Sequence, residues 1–288
     1  MMNKAILEML EPYNCQTPMD YKNALKEIVQ QISLLGLSRQ GFFFKAAFYG
    51  GTALRIGHGL NRFSEDMDFT LLTPEPDFSL EKYLLGVEQE LLSYELKFSV
   101  QKINKKINTP IESAFIKGNT LAILISIDNI KLPKAGTHKN ELLKIKMEID
   151  TDPPQPSGMC ETLFLKNPIP FSYSILQLSS LFAGKLHAII SRDYPGGRVK
   201  GRDFYDFIWY VNKKVSPDLQ YLEAKLKQSG KLGKKEQLSL DKLKILLSDK
   251  ISTIDFAEAG KDVAPFIKDE FALNVWSTEF FSYLIQTL

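Results

Sequence analysis

The chain has 288 residues, of which 44% are hydrophobic and 24% are charged, and its formal net charge is +2. This composition is typical of a soluble globular protein and excludes a disordered chain, a fibrous repeat and a membrane protein. The length suits two closely packed lobes, and so small a net charge does not by itself indicate nucleic-acid binding, although a local basic groove is compatible with it.

The two cysteines and the apolar segments indicate a cytoplasmic protein. Cys15 and Cys160 lie in no CxxC and at no metal-ligand spacing from a histidine, so neither a zinc site nor a disulfide framework is expected. Isolated thiols fit a reducing cytoplasm. The N-terminal run is broken by glutamates and lacks the pattern of a signal peptide. The most apolar later segment (174–190) carries a lysine and a histidine, so no membrane partner is expected.

Hydrophobic periodicity predicts alternating helices and strands in the first half of the chain. A helix over residues 21–37 precedes an aromatic strand over 44–49, which ends at two glycines, and Thr52 is predicted as the N-cap of the next helix. Then follow a strand over 67–72, a helix over 79–96, and strands over 120–130 and 141–150. This order predicts a mixed α/β domain over residues 1–170.

The pattern changes after Pro170. Apolar residues recur at helical spacing over 172–191, 202–212, 219–228 and 237–247, and in a Phe-rich segment near the C-terminus. A mostly helical domain over 171–288 is therefore predicted, and it is expected to complete a cleft with the first.

Two aspartates alternate at the start of the predicted strand over 67–72. In a strand, residues two apart project to one face, so Asp66 and Asp68 point the same way, roughly 7 Å apart along the backbone. Met67 and Phe69 then point into the core. Two carboxylates on one face are suited to hard divalent cations that accompany phosphates. The alternative is that the pair forms the exposed face of an edge strand.

A glycine turn lies just upstream of these aspartates. Gly50-Gly51-Thr52 stands at a strand-to-helix junction, where free N–H groups and the helix dipole favour an anion such as a triphosphate. Ser64 either donates to a phosphate or caps the turn before Glu65. Arg55 and Arg62 are each a phosphate contact or an ion-pair partner of Glu65.

A later strand alternates charged and apolar residues. In KIKMEID, one face carries Lys144, Lys146, Glu148 and Asp150, and the other face is apolar. A solvated outer strand has the same pattern. If this strand lies beside Asp66 and Asp68, either Glu148 or Asp150 supplies a third carboxylate, and Lys146 is placed to meet a phosphate.

These residues resemble the motifs of a known family. GGTALRIGHGLNRFSEDMDF (50–69) resembles the first motif of the AbiEii-type nucleotidyltransferase toxins, within the DNA polymerase β-like nucleotidyltransferase superfamily. Lys144-x-Lys146-x-Glu148 resembles the second motif, and Lys185 followed by RDFYD (202–206) resembles the third. The resemblance implies a polymerase β-like nucleotidyltransferase lobe with a mixed sheet, plus a helical C-terminal lobe.

The resemblance also implies roles for the carboxylates and the turn. Asp66 and Asp68 would hold Mg²⁺ that bridges the triphosphate and activates the attacking hydroxyl, and Glu148 is favoured as the third metal ligand by its spacing from Lys146. The superfamily usually has Gly-Ser where this chain has Gly50-Gly51. Thr52 or backbone N–H groups would therefore replace the serine hydroxyl.

Further roles are implied for the third motif. Lys146 and Lys185 would neutralise phosphate charge, Arg202 would bind the nucleotide, and Asp203 or Asp206 would accept the acceptor's proton or orient Lys185 and Arg202. Considered without the family, these helical residues also fit a surface helix whose ion pairs have i,i+3 and i,i+4 spacing.

The implied activity is metal-dependent transfer of a nucleotidyl group from an NTP to a hydroxyl. In this family the acceptor can be the 3′ end of tRNA, so the chain is expected to be a toxin with a cognate antitoxin and an RNA partner. The alternatives are a small-molecule or protein nucleotidyltransferase and a catalytically inactive nucleotide- or RNA-binding protein.

Overall fold

The computed structural model of the protein describes residues 3–96, 98–102, 120–127, 143–193 and 199–288. The strands in these ranges are β1 (Ala46–Tyr49), β2 (Met67–Leu71), β3 (Phe98–Lys102), β4 (Thr120–Ile127), β5 (Leu143–Asp150), β6 (Cys160–Leu165) and β7 (Phe171–Leu176). The helices are α1 (Lys4–Leu10), α2 (Pro18–Arg39), α3 (Gly50–His58), α4 (Glu81–Ser93), α5 (Leu178–Ser191), α6 (Gly201–Asn212), α7 (Leu219–Gln228), α8 (Leu240–Ile251), α9 (Phe256–Val263) and α10 (Thr278–Gln286).

The strands of the described ranges form one mixed sheet in the order β3-β4-β5-β2-β1-β7-β6. At its centre, β2 is antiparallel to β1 and parallel to β5, and β1 is parallel to β7. The predicted mixed α/β class is confirmed. This order matters for the site because it places the strand of Asp68 between the strand that leads into the glycine turn and the charged strand β5.

The alternation of β2 and β5 decides which face of the sheet is apolar. Met67 and Phe69 of β2 are fully buried, as are Met147 and Ile149 of β5. They pair in register across the two strands, so the opposite face carries the acidic residues of both. The 22-residue helix α2 begins at a capping box formed by Thr17 and Asp20 and is largely buried.

Several sequence predictions are wrong in detail. The helix expected from residue 172 begins at Leu178, because FSYSIL forms β7, in which Tyr173 and Ile175 are buried and the serines alternate with them. Strand β6 was not predicted. Thr52 does not cap α3, which begins two residues earlier, at Gly50. Residues 128–130 and 141–142 of two predicted strands lie outside the described residues.

The sheet takes strands from both sides of residue 170, because β7 lies beside β1. The division into domains 1–170 and 171–288 stays a prediction. The described chain from Leu178 onward is helical, apart from turns and loops. None of the described helices combines the length and the apolar character that a membrane span requires.

Candidate active site

The chain passes from β1 into α3 through two glycines. Gly50 has a φ of +83°, and a Cβ placed on it would lie 2.5 Å from Oδ2 of Asp68. A Cβ on Gly51 would lie 2.6 Å from Nη2 of Arg62 and 3.1 Å from Oγ of Ser64. Side chains are therefore excluded at both positions. No described side chain caps the start of α3, and its N–H groups and dipole favour an anion there.

Three carboxylates interact electrostatically beside this turn. Asp68 of β2 pairs with Glu148 of the neighbouring strand β5, so the two side chains project from the same face, and Asp66 comes one residue before β2. Burial and the negative charges of Asp66 and Glu148 raise the pKa of Asp68 to about 7. Burial, offset in part by Lys146, also raises the pKa of Asp66. Burial is the main cause of both raised pKa values, and a bound cation would favour the ionised form of each carboxylate.

The strand register separates the two candidates for the third carboxylate. Glu148 lies opposite Asp68, whereas Asp150 lies opposite Thr70, two residues further along β2. The Nζ of Lys146 lies 2.8 Å from Oε1 of Glu148. Burial disfavours the charged form of Lys146, but the ion pair with Glu148 and the charges of the aspartates outweigh burial and raise its pKa. The side chain of Lys144 lies outside the described part of the structure.

Lys185 reaches the site from α5. Its Nζ lies 2.7 Å from Oδ1 of Asp203 and 2.8 Å from Oδ2 of Asp206, both on α6. Burial, with the nearby charges of Arg62 and Arg192, lowers the pKa of Lys185 to about 8, although Asp206 opposes the shift. The positive charge of Lys185 partly opposes the rise in the pKa of Asp68, so the two groups interact electrostatically across the site.

The two aspartates of α6 are buried rather than exposed. Asp203 is 3% exposed and Asp206 is fully buried, which rules out a surface helix face as their explanation. Asp203 also pairs with Arg192. Burial disfavours the charged form of Asp206, but Arg62 and Lys185 outweigh that effect and lower its pKa.

The arginines near the turn have partners other than the one considered from sequence. Arg62 pairs with Asp206 through two hydrogen bonds of 2.6 and 2.7 Å. Arg55 pairs with Glu27 of α2, at 2.7 Å. Glu65 is instead paired with Lys26, at 2.5 Å, and with Arg202, at 3.3 Å.

The loop before β2 is held from several sides. The Nε2 of Gln30 donates to the carbonyl oxygens of Ser64 and Glu65, at 3.1 and 3.0 Å. The hydroxyl of Thr52 donates to the carbonyl of Asp66, so Thr52 fixes the loop to the start of α3. Arg202, which was predicted to bind nucleotide, contacts the loop through Glu65 and stacks 4.4 Å above the ring of Phe266.

The structure adds Tyr49 to the residues found from sequence. Tyr49 is the last residue of β1 and pairs with Asp68. Burial and the charges of Asp68 and Asp150 raise its pKa well above the usual value, so the hydroxyl stays protonated and available as a donor. Its position directly before Gly50 was visible in the sequence, but its proximity to Asp68 required the strand register.

The donor set suits a hard divalent cation. Carboxylate oxygens are the ligands that Mg²⁺ prefers, and Asp66, Asp68 and Glu148 repel one another electrostatically. As the side chains stand, the described residues hold no group of three or more acidic, histidine or cysteine side chains arranged as a metal site.

One solved structure supports this fold, and a second shows a weaker likeness. A solved structure described as "Crystal structure of putative nucleotidyltransferase from H. pylori" is 18% identical, with a TM-score of 0.50, covering 91% of this chain and 92% of that one. A second, JHP933 from Helicobacter pylori, is 18% identical, with a TM-score of 0.49, covering 92% of this chain and 90% of that one. No curated protein matches significantly.

The family comparison extends over most of the chain. The family described as "Nucleotidyl transferase AbiEii toxin, Type IV TA system" matches residues 33–280. The matched region contains the glycine turn, the carboxylates of β2 and β5, and the buried lysine and aspartates of α5 and α6. The chain therefore belongs to the AbiEii nucleotidyltransferase toxin family of type IV toxin–antitoxin systems.

Proposed function

We propose that this nucleotidyltransferase toxin transfers a nucleotidyl group from an NTP to the 3′ hydroxyl of tRNA in a Mg²⁺-dependent reaction. The observation that carries the proposal is the pairing of Asp68 with Glu148 next to the glycine turn. An anion site in contact with a carboxylate site is what phosphoryl transfer requires, because the first holds the triphosphate and the second attracts the cation that accompanies it.

Asp66, Asp68 and Glu148 are the residues that would hold the metal. When bound, Mg²⁺ supplies charge neutralisation at the triphosphate and lowers the pKa of the attacking hydroxyl. The N–H groups at the start of α3 bind phosphate oxygens. Lys146 on β5 and Lys185 on α5 offset the phosphate charge from two directions.

Asp203 and Asp206 position Lys185 in this mechanism. Both accept a hydrogen bond from its Nζ, and Asp203 also pairs with Arg192. Carboxylates engaged in this way fit an orienting role better than proton acceptance, since each is already neutralised by partners.

The acceptor and the cellular context rest on the family. A toxin of a type IV system implies an antitoxin partner. The sequence motifs resemble those of toxins that act on tRNA 3′ ends. The two free cysteines suit a reducing cytoplasm, which is the compartment that contains tRNA.

A labelled-nucleotide assay tests the reaction and the acceptor together. Wild-type protein is incubated with each α-labelled NTP, Mg²⁺ and total tRNA, and half of the tRNA is first oxidised with periodate to destroy its 3′ hydroxyls. The proposal expects label on intact tRNA, none on oxidised tRNA, and none after EDTA treatment. Labelling of oxidised tRNA, or of co-incubated protein alone, would refute the 3′-end assignment.

The same assay separates site residues from their neighbours. Asp68→Asn is expected to abolish transfer, because the carboxylate pairs with Glu148 beside the turn. Asp150→Asn is the matched control, since Asp150 lies on the same face of β5 but opposite Thr70. If Asp68→Asn were as active as the wild type and Asp150→Asn, the carboxylates of β2 and β5 would not be the active site.

A further inference from the structure

Arg62 and Asp206 form a buried ion pair that joins the loop before β2 to α6. Their side chains are 3% and 0% exposed. Nε and Nη2 of Arg62 donate to the two carboxylate oxygens of Asp206, at 2.6 and 2.7 Å, and Nη1 donates to the carbonyl of Phe63, at 2.9 Å. A two-pronged contact of this kind fixes orientation as well as distance.

Asp206 is shared between Arg62 and Lys185. The carboxylate oxygen that accepts from Nη2 of Arg62, Oδ2, also lies 2.8 Å from Nζ of Lys185. The two cations therefore meet at one carboxylate oxygen. The other charged groups facing Lys185 are Asp203 on α6, Arg192 after α5, and Asp68 on β2.

The same guanidinium lies beside the glycine turn. Nη2 of Arg62 lies 2.6 Å from the place where a Cβ on Gly51 would be. One nitrogen thus lies near the turn that would bind the triphosphate and donates to the aspartate that holds Lys185. Asp206 therefore links Lys185 to an arginine that lies beside the turn.

We propose that Arg62 is a positioning residue that acts through Asp206 to hold Lys185 at a fixed distance from the glycine turn. The inference rests on the proposed phosphate-neutralising role of Lys185. It assigns Arg62 neither a phosphate contact nor an ion pair with Glu65, because its donors are directed at Asp206 and Phe63.

Three variants test this role. Arg62→Lys keeps the positive charge but cannot make both hydrogen bonds to Asp206. The kcat for nucleotidyl transfer from α-labelled NTP to tRNA should therefore fall about 10- to 100-fold, with a smaller change in KM. The kcat of Arg62→Gln should fall by at least as much. Arg55→Gln is the control, because it breaks another arginine–carboxylate pair, with Glu27, that is more exposed and does not involve Asp206, and it should keep kcat within about twofold.

The pH profile distinguishes positioning from a merely structural role. Lys185 must be charged to neutralise phosphate, so activity is lost as pH rises through its pKa. Arg62→Gln removes the positive charge that repels Lys185 and leaves Asp206 without its arginine partner, so the pKa of Lys185 rises from about 8. The alkaline limb of the rate profile therefore moves to higher pH. Arg62→Lys retains the positive charge and should leave the limb in place.

A double-variant cycle tests whether Arg62 acts through Lys185. Once Lys185→Met has removed the amine, adding Arg62→Gln should change residual kcat by less than about twofold. An undiminished effect in that background, or wild-type kcat in Arg62→Lys, would overturn the inference. If thermal melting shows that Arg62→Gln does not fold, the kcat of Arg62→Lys alone tests the inference. Activity of Asp68→Asn equal to wild type would instead refute the proposed function itself.

Discussion

Removal of the Asp68 charge should stabilise the metal-free protein while abolishing its activity. In the folded chain the pKa of Asp68 is raised from 3.8 to about 7, because the group is buried and faces Asp66 and Glu148. Asp68→Asn keeps the size of the side chain and removes the repulsion. Stability and function are therefore expected to change in opposite directions at this one residue.

The size of the effect follows from the pKa shift. A rise from 3.8 to about 7 means that ionised Asp68 costs at most about 4 kcal/mol of folding stability. The folded state binds more protons than the unfolded state between these pKa values, so this cost is absent below about pH 4 and complete above about pH 7. The stability gained by Asp68→Asn should therefore grow from near zero at pH 4 to its full size at pH 8.

Urea unfolding in EDTA at pH 4, 6 and 8 measures this gain. Asp150→Asn is the control for loss of a carboxylate from the same face, because Asp150 lies opposite Thr70 and not opposite another acid. At pH 8, added Mg²⁺ should stabilise the wild type and leave Asp68→Asn unchanged. A variant no more stable than wild type at pH 8 in EDTA would refute the electrostatic reasoning.

Three further predictions concern the same site. Glu148→Gln should lower kcat about 100-fold or more, whereas Asp150→Asn should keep it within about tenfold, as measured by labelled-NTP transfer. Gly50→Ala should abolish transfer because its Cβ would lie 2.5 Å from Oδ2 of Asp68, whereas Gly59→Ala, also at positive φ but in open space, should lower only the melting temperature. The Mg²⁺ concentration for half-maximal rate should rise about tenfold from pH 8 to pH 6, since Asp68, with a pKa of about 7, must lose its proton to bind metal; a flat dependence would contradict this.

Local pattern was enough to predict the buried residues and the glycine turn around the proposed site. The alternation around Asp66 and Asp68 correctly placed Met67 and Phe69 in the core, and the turn glycines were recognised from their place between a strand and a helix. These features depend on nearest neighbours in the sequence, where strand period and backbone sterics act directly.

Contacts between distant segments were not predictable in the same way. Glu148 was favoured from its spacing to Lys146, but its place opposite Asp68 depends on the register of β2 against β5, which no local signal fixes. Arg62 and Asp206 are separated by 144 residues, and their pairing depends on how α6 packs against the loop before β2. Strand β7 was read as helix because only Gln177 separates it from α5.

A crystal structure of the wild-type protein with Mg²⁺ and a non-hydrolysable NTP analogue would test the convergence of these segments most directly. We expect a metal ion bound by Asp66, Asp68 and Glu148, with the triphosphate on the N–H groups that follow Gly50 and Lys185 within reach of a phosphate oxygen. A triphosphate bound away from the glycine turn, or a metal ion held without Asp68, would contradict the account.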